Sequence, residues 1–220
     1  MNDLNQLILN FDYDQNFKDQ DFYVSKSNEF AFKLINNWPK WEKNFVNLIG
    51  ENFSGKTHLI NIFLKKFKGI KIEANKINND FLKKIKVFEN IVIENFNDKI
   101  DENLLFTLTN IIDQDNKYLI LTSRNPIVDY SFKLNDLNSR SNNFLLCNIE
   151  KPGDDLMFAL ILKNLSDRQI SIDKKLIDFI IKRIDRSYGK ISDFIYKIDE
   201  ISLKRKKPID FKIIKEALGE

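Results

Sequence analysis

Short apolar runs alternate with amphipathic stretches over the first 150 residues of the chain. The runs begin near residues 45, 70, 91, 118 and 144, and those near 45, 91 and 118 have the length and composition of a buried strand. The stretches before and between the runs carry apolar residues at helical spacing, as at positions 30, 31, 34, 35 and 38 before Pro39, where a helix must end. Strands that alternate with helices predict an α/β fold built on a five-stranded parallel sheet.

After residue 150 the pattern contains amphipathic helices only. Segments 156–165, 176–184, 191–203 and 211–218 each place their apolar residues on one face, and breaks are expected at Ser171, Gly189 and Pro208. We therefore predict an α/β domain over residues 15–150 and an all-helical lid over residues 151–220. Residues 1–14 precede any element able to pack and are predicted to form a flexible tail.

The loop after the first predicted strand matches the phosphate-binding pattern G-x-x-x-x-G-K-T. Its two glycines permit a turn tight enough for successive N–H groups to face one anion, and the following helix adds the positive end of its dipole. Lys56 is predicted to contact the β- and γ-phosphates, and Thr57 is predicted to bind Mg²⁺. The predicted nucleotide-binding residues of the loop are Gly50, Glu51, Asn52, Phe53, Ser54, Gly55, Lys56, Thr57 and His58.

Two later strands are predicted to supply the rest of the site. A buried parallel strand delivers its last residue to the nucleotide edge of the sheet, so Glu94 is the predicted carboxylate on the Mg²⁺ side. The acid that polarises the attacking water usually follows it, but here that position holds Asn95, which can orient a water without accepting its proton. Slow intrinsic hydrolysis is therefore expected. Thr122 and Ser123 end the next strand, where a γ-phosphate sensor is expected.

Composition narrows the class of protein. The chain is 43% hydrophobic, and its net charge of +3 lacks the basic excess of a dedicated DNA-binding chain. Cys147 is the single cysteine and lies in an apolar run, so we expect a buried side chain rather than a disulfide. His58 is the single histidine, so we predict no histidine-based metal site. No apolar run approaches the ~18 residues of a membrane span, and we expect a soluble cytoplasmic protein with no membrane partner.

Several segments admit two interpretations from their residues alone. The run Gln6-Leu7-Ile8-Leu9-Asn10-Phe11 suits a peptide that docks in a partner's groove, or else an edge strand or flap over the chain's own core. Phe22 and Tyr23 suit either an adenine pocket or plain core packing. Arg140 is either an ordinary exposed arginine or a charge offered to a neighbour's nucleotide. The basic run 204–207 suits either a solvated helix end or a phosphate contact.

Together these motifs resemble the AAA+ ATPases, and within them the DnaA/Hda family, most closely the shortened Hda type. The resemblance covers nearly the whole chain. Its signs are Gly-Lys-Thr-His-Leu in the phosphate loop, Leu121-Thr122-Ser123 at sensor 1, Asp-Leu-Asn-Ser-Arg ending at Arg140, Asp185-Arg186 in the lid, and the segment 214–218. A DnaA-like chain is expected to continue into a DNA-binding domain, whereas this sequence stops at Glu220, which favours the Hda type.

The resemblance implies a clamp-tethered regulator that stimulates ATP hydrolysis by DnaA and so prevents re-initiation of replication. Arg140 resembles an arginine finger that acts in trans, a device that accelerates related phosphoryl transfers by about 10³–10⁵. The sensor 2 arginine of the family falls near Gly189, with Arg186 or Lys190 as substitutes. The implied clamp-binding residues are Gln6, Leu7, Ile8, Leu9 and Phe11.

The implied cofactors are ADP or ATP with Mg²⁺, and the implied partners are the sliding clamp of DNA polymerase and DnaA. DNA is reached only through the clamp, and a homodimer remains open. The alternative is a helicase-loader or clamp-loader type of AAA+ ATPase that hydrolyses its own ATP. A third interpretation is a DNA-remodelling partner that acts through the basic run at residues 204–207.

Overall fold

The computed structural model describes residues 22–220. Its strands are β1 (Phe45–Ile49), β2 (Gly69–Glu73), β3 (Asn90–Phe96), β4 (Tyr118–Ser123) and β5 (Leu145–Asn148). They form one sheet in the order β2-β3-β4-β1-β5, and every neighbouring pair is parallel. The predicted five-stranded parallel sheet is confirmed. Because β1 lies between β4 and β5, the loop that leaves β1 emerges beside the carboxyl ends of both neighbours.

Helices cover both faces of this sheet. They are α1 (Glu29–Asn36), α2 (Lys56–Lys66), α3 (Asn79–Lys84), α4 (Glu102–Gln114) and α5 (Asn135–Ser141), with short 3₁₀ turns at Ala74–Lys76, Ile85–Val87 and Ile127–Asp129. Side chains alternate along each strand: Val92 packs with α1 and α2, whereas Ile91 and Ile93 pack with α3, α4 and α5. Glu94 lies two residues after Val92 on the same strand, so its side chain faces the same side of the sheet, the side that carries α2.

The C-terminal region is helical, as predicted. It contains α6 (Asp154–Asp167), α7 (Lys174–Ile181), α8 (Tyr188–Arg205) and α9 (Phe211–Leu218). These helices enclose an apolar core of their own, in which Met157, Ile161 and Ile195 are almost fully buried. Asp173, Ser187 and Asp210 cap three of the helices by accepting backbone N–H groups.

The break predicted at Gly189 was wrong. Gly189 lies in the first turn of α8, which begins after the Ser187 cap. A helix tolerates glycine there because the cap and the buried ring of Tyr188 hold the first turn. Among residues 22–220, no helix combines the length and the hydrophobicity needed to cross a bilayer.

Candidate nucleotide-binding site

The phosphate loop runs from Gly50, at the end of β1, to Lys56, at the start of α2. A Cβ atom at Gly50 would lie 2.6 Å from Ser54 Oγ and 3.3 Å from Ile149 Cβ, so a larger residue would force the Ser54 side chain to move. Gly55 has a φ of 92° and caps α2, and this left-handed conformation favours glycine. The loop therefore folds back on its first residue and leaves the N–H groups of the first turn of α2 at its mouth.

The remaining loop residues differ in exposure. Asn52 and Phe53 form an exposed tip, where Phe53 has a positive φ of 66°. Thr57 is exposed on the first turn of α2, whereas Ser54 is buried. The roles of the loop as a phosphate cradle and of the Thr57 hydroxyl as a Mg²⁺ ligand stay predictions.

The side-chain ammonium of Lys56 lies within this loop, among the backbone carbonyls of its first residues. Its Nζ donates to the carbonyl oxygens of Gly50 at 2.6 Å and Glu51 at 2.8 Å. Burial lowers the pKa of Lys56 to about 8, an effect that the carboxylate of Glu51 opposes and the guanidinium of Arg124 reinforces. An anion nearby stabilises the charged form of a buried ammonium whose pKa is depressed. The loop is therefore electrostatically suited to phosphate.

Glu94 lies buried at the sheet edge, on the side that carries α2. Its Oε2 pairs with Lys71 Nζ at 3.1 Å, and Lys71 also donates to Asn61 Oδ1 on α2 at 3.0 Å. Within the described residues, Glu94 Oε1 is buried and has no hydrogen-bond partner. A buried carboxylate oxygen without a donor costs free energy, and a Mg²⁺-bound water is the kind of donor that would satisfy it. The Glu94 carboxylate therefore fits a hydrated Mg²⁺ ion, and the pairing of Glu94 with Thr57 around that ion stays a prediction.

Asn95 adopts an unusual backbone conformation next to this carboxylate. Its φ is 58°, and the pairing of β3 with β4 shifts register between Ile93 and Phe96, which is a β-bulge. The Asn95 N–H donates to Thr122 Oγ1 at 3.0 Å, and Asn95 Nδ2 donates to Glu73 Oε2 at 2.9 Å. The Glu73 carboxylate is therefore hydrogen-bonded to Asn95, the residue that stands where a catalytic acid is usual.

Sequence reasoning missed Glu73. The signal was its place at the end of β2, where it is paired in register with Glu94. Strand order was needed to interpret that signal, because only neighbouring strands bring their last residues together.

Ser123, the last residue of β4, belongs to a buried polar network with Asn47 of β1. Its Oγ accepts from Asn47 Nδ2 at 2.8 Å and donates to the Asn125 carbonyl at 2.6 Å. Asn47 Oδ1 in turn accepts the Ile127 N–H at 2.7 Å. This network fixes the segment after β4, and the sensor role of Thr122 and Ser123 stays a prediction. Asn47, a fully buried amide inside an apolar strand, was also missed.

The two aromatic residues that precede α1 lie in different environments. Phe22 stacks on Phe32 with 5.6 Å between ring centroids and meets His58 edge-on at 5.3 Å, so it packs against the first turns of α2. Tyr23 is half-exposed and lines a cavity of about 390 Å³ beside the lid. The other residues that line this cavity are Asp154, Asp155, Phe158, Lys174, Asp178, Ile181 and Lys182. An adenine pocket at this place stays a prediction.

Among the described residues, no hydrogen bond or ion pair joins the candidate sensor 2 residues to the phosphate loop. Arg186 is exposed and pairs with Asp154 on α6 at 2.9 Å, and Lys190 is exposed on the first turn of α8. The loop instead meets the lid through Glu51. Its Oε2 accepts the Ser187 hydroxyl at 2.7 Å, and its Oε1 accepts the Tyr188 N–H at 3.2 Å.

Arg140 projects from α5 toward α4. Its Nη2 donates to Asn110 Oδ1 at 2.5 Å, its Nη1 pairs with Asp113 at 3.5 Å, and its guanidinium lies over the ring of Phe106. The side chain keeps 28% of its surface exposed. The guanidinium is thus held against α4 by these three contacts, and its role as an arginine finger stays a prediction. The predicted clamp-binding residues, Gln6, Leu7, Ile8, Leu9 and Phe11, lie outside the described residues.

Comparison with known proteins places these features in context. No protein-family model matches the chain. The replication initiator DnaA of Borreliella afzelii is 22% identical over 91% of the chain and 47% of its own length, and that of Borrelia turicatae is 25% identical over 91% and 48%. The chain therefore spans about half the length of the curated relatives it matches.

Solved structures share the fold. Domain III of Thermotoga maritima DnaA matches with a TM-score of 0.73 and 17% identity, covering 93% of this chain and 96% of that domain. AMPPCP-bound DnaA from Aquifex aeolicus matches with a TM-score of 0.68, 20% identity and coverage of 87% and 68%. A Thermotoga maritima RuvB mutant matches with a TM-score of 0.64, 14% identity and coverage of 88% and 68%. The chain is thus DnaA-like in sequence over nine tenths of its length, at low identity, and it has the AAA+ fold of DnaA domain III.

Proposed function

We propose that the chain binds ADP or ATP with Mg²⁺ and acts as a regulator of DnaA of the Hda type. The observation that carries this proposal is an intact phosphate loop beside a sheet edge that presents an amide, Asn95, where a hydrolytic enzyme needs a carboxylate. A DnaA relative with the same fold is bound to AMPPCP, which supports nucleotide as the ligand. Such a site retains nucleotide rather than turning it over.

Each residue of the site has a distinct part in this proposal. Lys56 exchanges its bonds to loop carbonyls for phosphate oxygens, and the N–H groups of the loop bind the same anion. Thr57 and Glu94 would hold a hydrated Mg²⁺ ion, which would neutralise phosphate charge. Lys71 keeps the Glu94 carboxylate oriented through its ion pair. Asn95 can orient a water but cannot take its proton, so intrinsic hydrolysis is slow.

Arg140 is the group that we propose for action in trans. A guanidinium offered to a neighbour's triphosphate stabilises the charge that develops during phosphoryl transfer. The contacts with Asn110 and Asp113 hold Arg140 in one orientation on the surface, which lowers the entropic cost of presenting it. The neighbour is DnaA, and the tail at Gln6 to Phe11 tethers the regulator to the sliding clamp on DNA.

The test is phosphate release from ATP-loaded DnaA with and without this protein, in the presence of sliding clamp loaded on DNA. Stimulation is expected with the intact chain and is expected to disappear in Arg140→Ala, while the melting temperature stays within a few degrees. Arg205→Ala is the matched control, because Arg205 is a half-exposed arginine that is ion-paired with Glu216 on the lid.

A Gln6→Ala/Leu7→Ala variant separates tethering from chemistry. It should lose clamp binding and stimulation while keeping nucleotide affinity and thermal stability. If Arg140→Ala still stimulates ATP hydrolysis by DnaA, the arginine finger is a different residue. If the unmodified chain stimulates hydrolysis without clamp, the proposed tethering through Gln6 to Phe11 is wrong.

A second candidate is an AAA+ ATPase that hydrolyses its own ATP, as a helicase or clamp loader does. The observation that favours it is Glu73, whose carboxylate lies 2.9 Å from the amide of Asn95. Hydrolysis above about 1 s⁻¹ by the purified chain without partners, within the usual range of enzymes, would favour this candidate over the regulator.

A further inference from the structure

The side chain of Glu51 joins the phosphate loop to the lid. Glu51 is the residue directly after Gly50, yet its two carboxylate oxygens accept from Ser187 Oγ at 2.7 Å and from the Tyr188 N–H at 3.2 Å. Ser187 is the cap of α8, and Tyr188 is the first residue of that helix. A carboxylate at a helix N-terminus is stabilised by unpaired N–H groups and by the helix dipole, so Glu51 and α8 complement each other in charge.

The same end of α8 is anchored to the α/β domain at a second point. The ring of Tyr188 is 4% exposed and packs into the core that lies between the sheet and α1 and α2. Its hydroxyl donates to the Glu150 carbonyl at 3.1 Å. The first turn of α8 is therefore held by a buried ring on one side and by Glu51 on the other, and the Glu51 contact is the one that reaches the phosphate loop.

Glu51 also touches the lysine that is expected to bind phosphate. The Glu51 carbonyl accepts from Lys56 Nζ at 2.8 Å, so one residue contacts Lys56 through its backbone and α8 through its side chain. Gly189, in the first turn of α8, has no side chain to extend toward the loop. The described contacts between the phosphate loop and α8 therefore run through Glu51.

We propose that Glu51 is a positioning residue that couples the conformation of the phosphate loop to the position of the lid. When Lys56 moves toward phosphate, the loop segment at Gly50 and Glu51 rearranges, and the carboxylate transmits that change to the first turn of α8. This inference rests on the proposed nucleotide binding for its ligand-dependent half only. Its structural half, the Glu51 contact with α8, is testable without nucleotide.

The nucleotide-free test is hydrogen–deuterium exchange of the amides in the first turn of α8. In Glu51→Ala, exchange there should be roughly tenfold faster than in the unmodified chain, because a charge-assisted bond to the Tyr188 N–H is lost. Glu51→Gln should fall in between, since its amide oxygen still accepts one bond. Glu150→Ala, which removes an exposed carboxylate at the same boundary, should match the unmodified chain. Equal protection in Glu51→Ala and the unmodified chain would overturn the contact.

The coupling is measured as the dissociation rate of a fluorescent ADP analogue. Glu51→Ala and Ser187→Ala should each release the analogue several-fold faster. Ser187→Ala should have a smaller effect in the Glu51→Ala background than alone, because the Ser187–Glu51 bond is common to both changes while the loss of the α8 cap is not. Additive effects, or unchanged rates in both single variants, would overturn the coupling. The lid has its own apolar core, so all of these variants are expected to fold.

The two proposals fail in different ways. Absence of nucleotide binding by the unmodified chain would refute the proposed function, and the exchange experiment would still decide on the Glu51 contact. Nucleotide binding that is indifferent to Glu51 would refute the coupling alone.

Discussion

Replacing Lys56 by methionine should stabilise the nucleotide-free protein while abolishing nucleotide binding. The Lys56 ammonium is buried, and its pKa falls from 10.5 to about 8 mainly because of desolvation. Each pKa unit corresponds to about 1.4 kcal/mol, so the charged side chain destabilises the folded protein by about 3 kcal/mol below pH 8. The bonds that the neutral amine makes to the Gly50 and Glu51 carbonyls are lost as well, and at about 1 kcal/mol each they offset about 2 kcal/mol. The net expectation at pH 7 is a gain of about 1 kcal/mol in the free energy of unfolding.

The pH dependence of this gain follows from the direction of the pKa shift. Below about pH 8 both folded and unfolded Lys56 are protonated, and the full burial cost is present. Between about pH 8 and 10.5 the folded state loses the proton while the unfolded state keeps it, so the unfolded state binds more protons and stability rises with pH. Above 10.5 both states are neutral. The advantage of Lys56→Met should therefore shrink across this window.

Urea unfolding of both proteins at several pH values, without nucleotide, measures this difference. Lys40→Met, which changes an exposed lysine, is the matched control and should show no such trend. Taking the difference between variants cancels other groups that titrate at high pH, such as Tyr188, whose pKa burial raises to about 12. Two results would refute the account of Lys56 as a buried cation that is destabilised without phosphate. One is a difference in the free energy of unfolding that is constant with pH, and the other is a Lys56→Met protein that is less stable than the unmodified chain at pH 7.

Two further predictions concern the carboxylates at the sheet edge. Asn95→Glu alone should leave ATP hydrolysis by the purified chain low, because the new carboxylate meets Glu73, whereas Asn95→Glu with Glu73→Gln should raise it by about 10²-fold; equal rates of phosphate release in the two variants would contradict this. Lys71→Met should lower the free energy of unfolding by about 1–2 kcal/mol, since Glu94 is buried while Lys71 is 40% exposed. Lys71→Arg is its control in urea unfolding, and equal losses in both variants would argue against the ion pair.

Local sequence was sufficient for the elements of this fold. The apolar runs predicted near residues 45, 70, 91, 118 and 144 are the five strands, and segment 211–218 coincides with α9. The reason is that strand and helix periodicity is written in neighbouring residues, and a buried parallel sheet demands continuous apolar runs. The phosphate loop was equally accessible, because its glycines and lysine act within a few residues of one another.

Contacts between distant segments were decided only by the tertiary structure. The pairing of Glu73 with Asn95 depends on β2 lying next to β3, and the bulge at Asn95 depends on how β3 meets β4. Glu51 reaches Ser187 across 136 positions of the chain. The hydrophobic periodicity of the sequence does not predict such partners, because a hydrogen bond between residues far apart in the chain produces no repeating sequence pattern. The sequence by itself therefore determined the elements and the phosphate loop, while folding determined which charges surround that loop and where the lid is held.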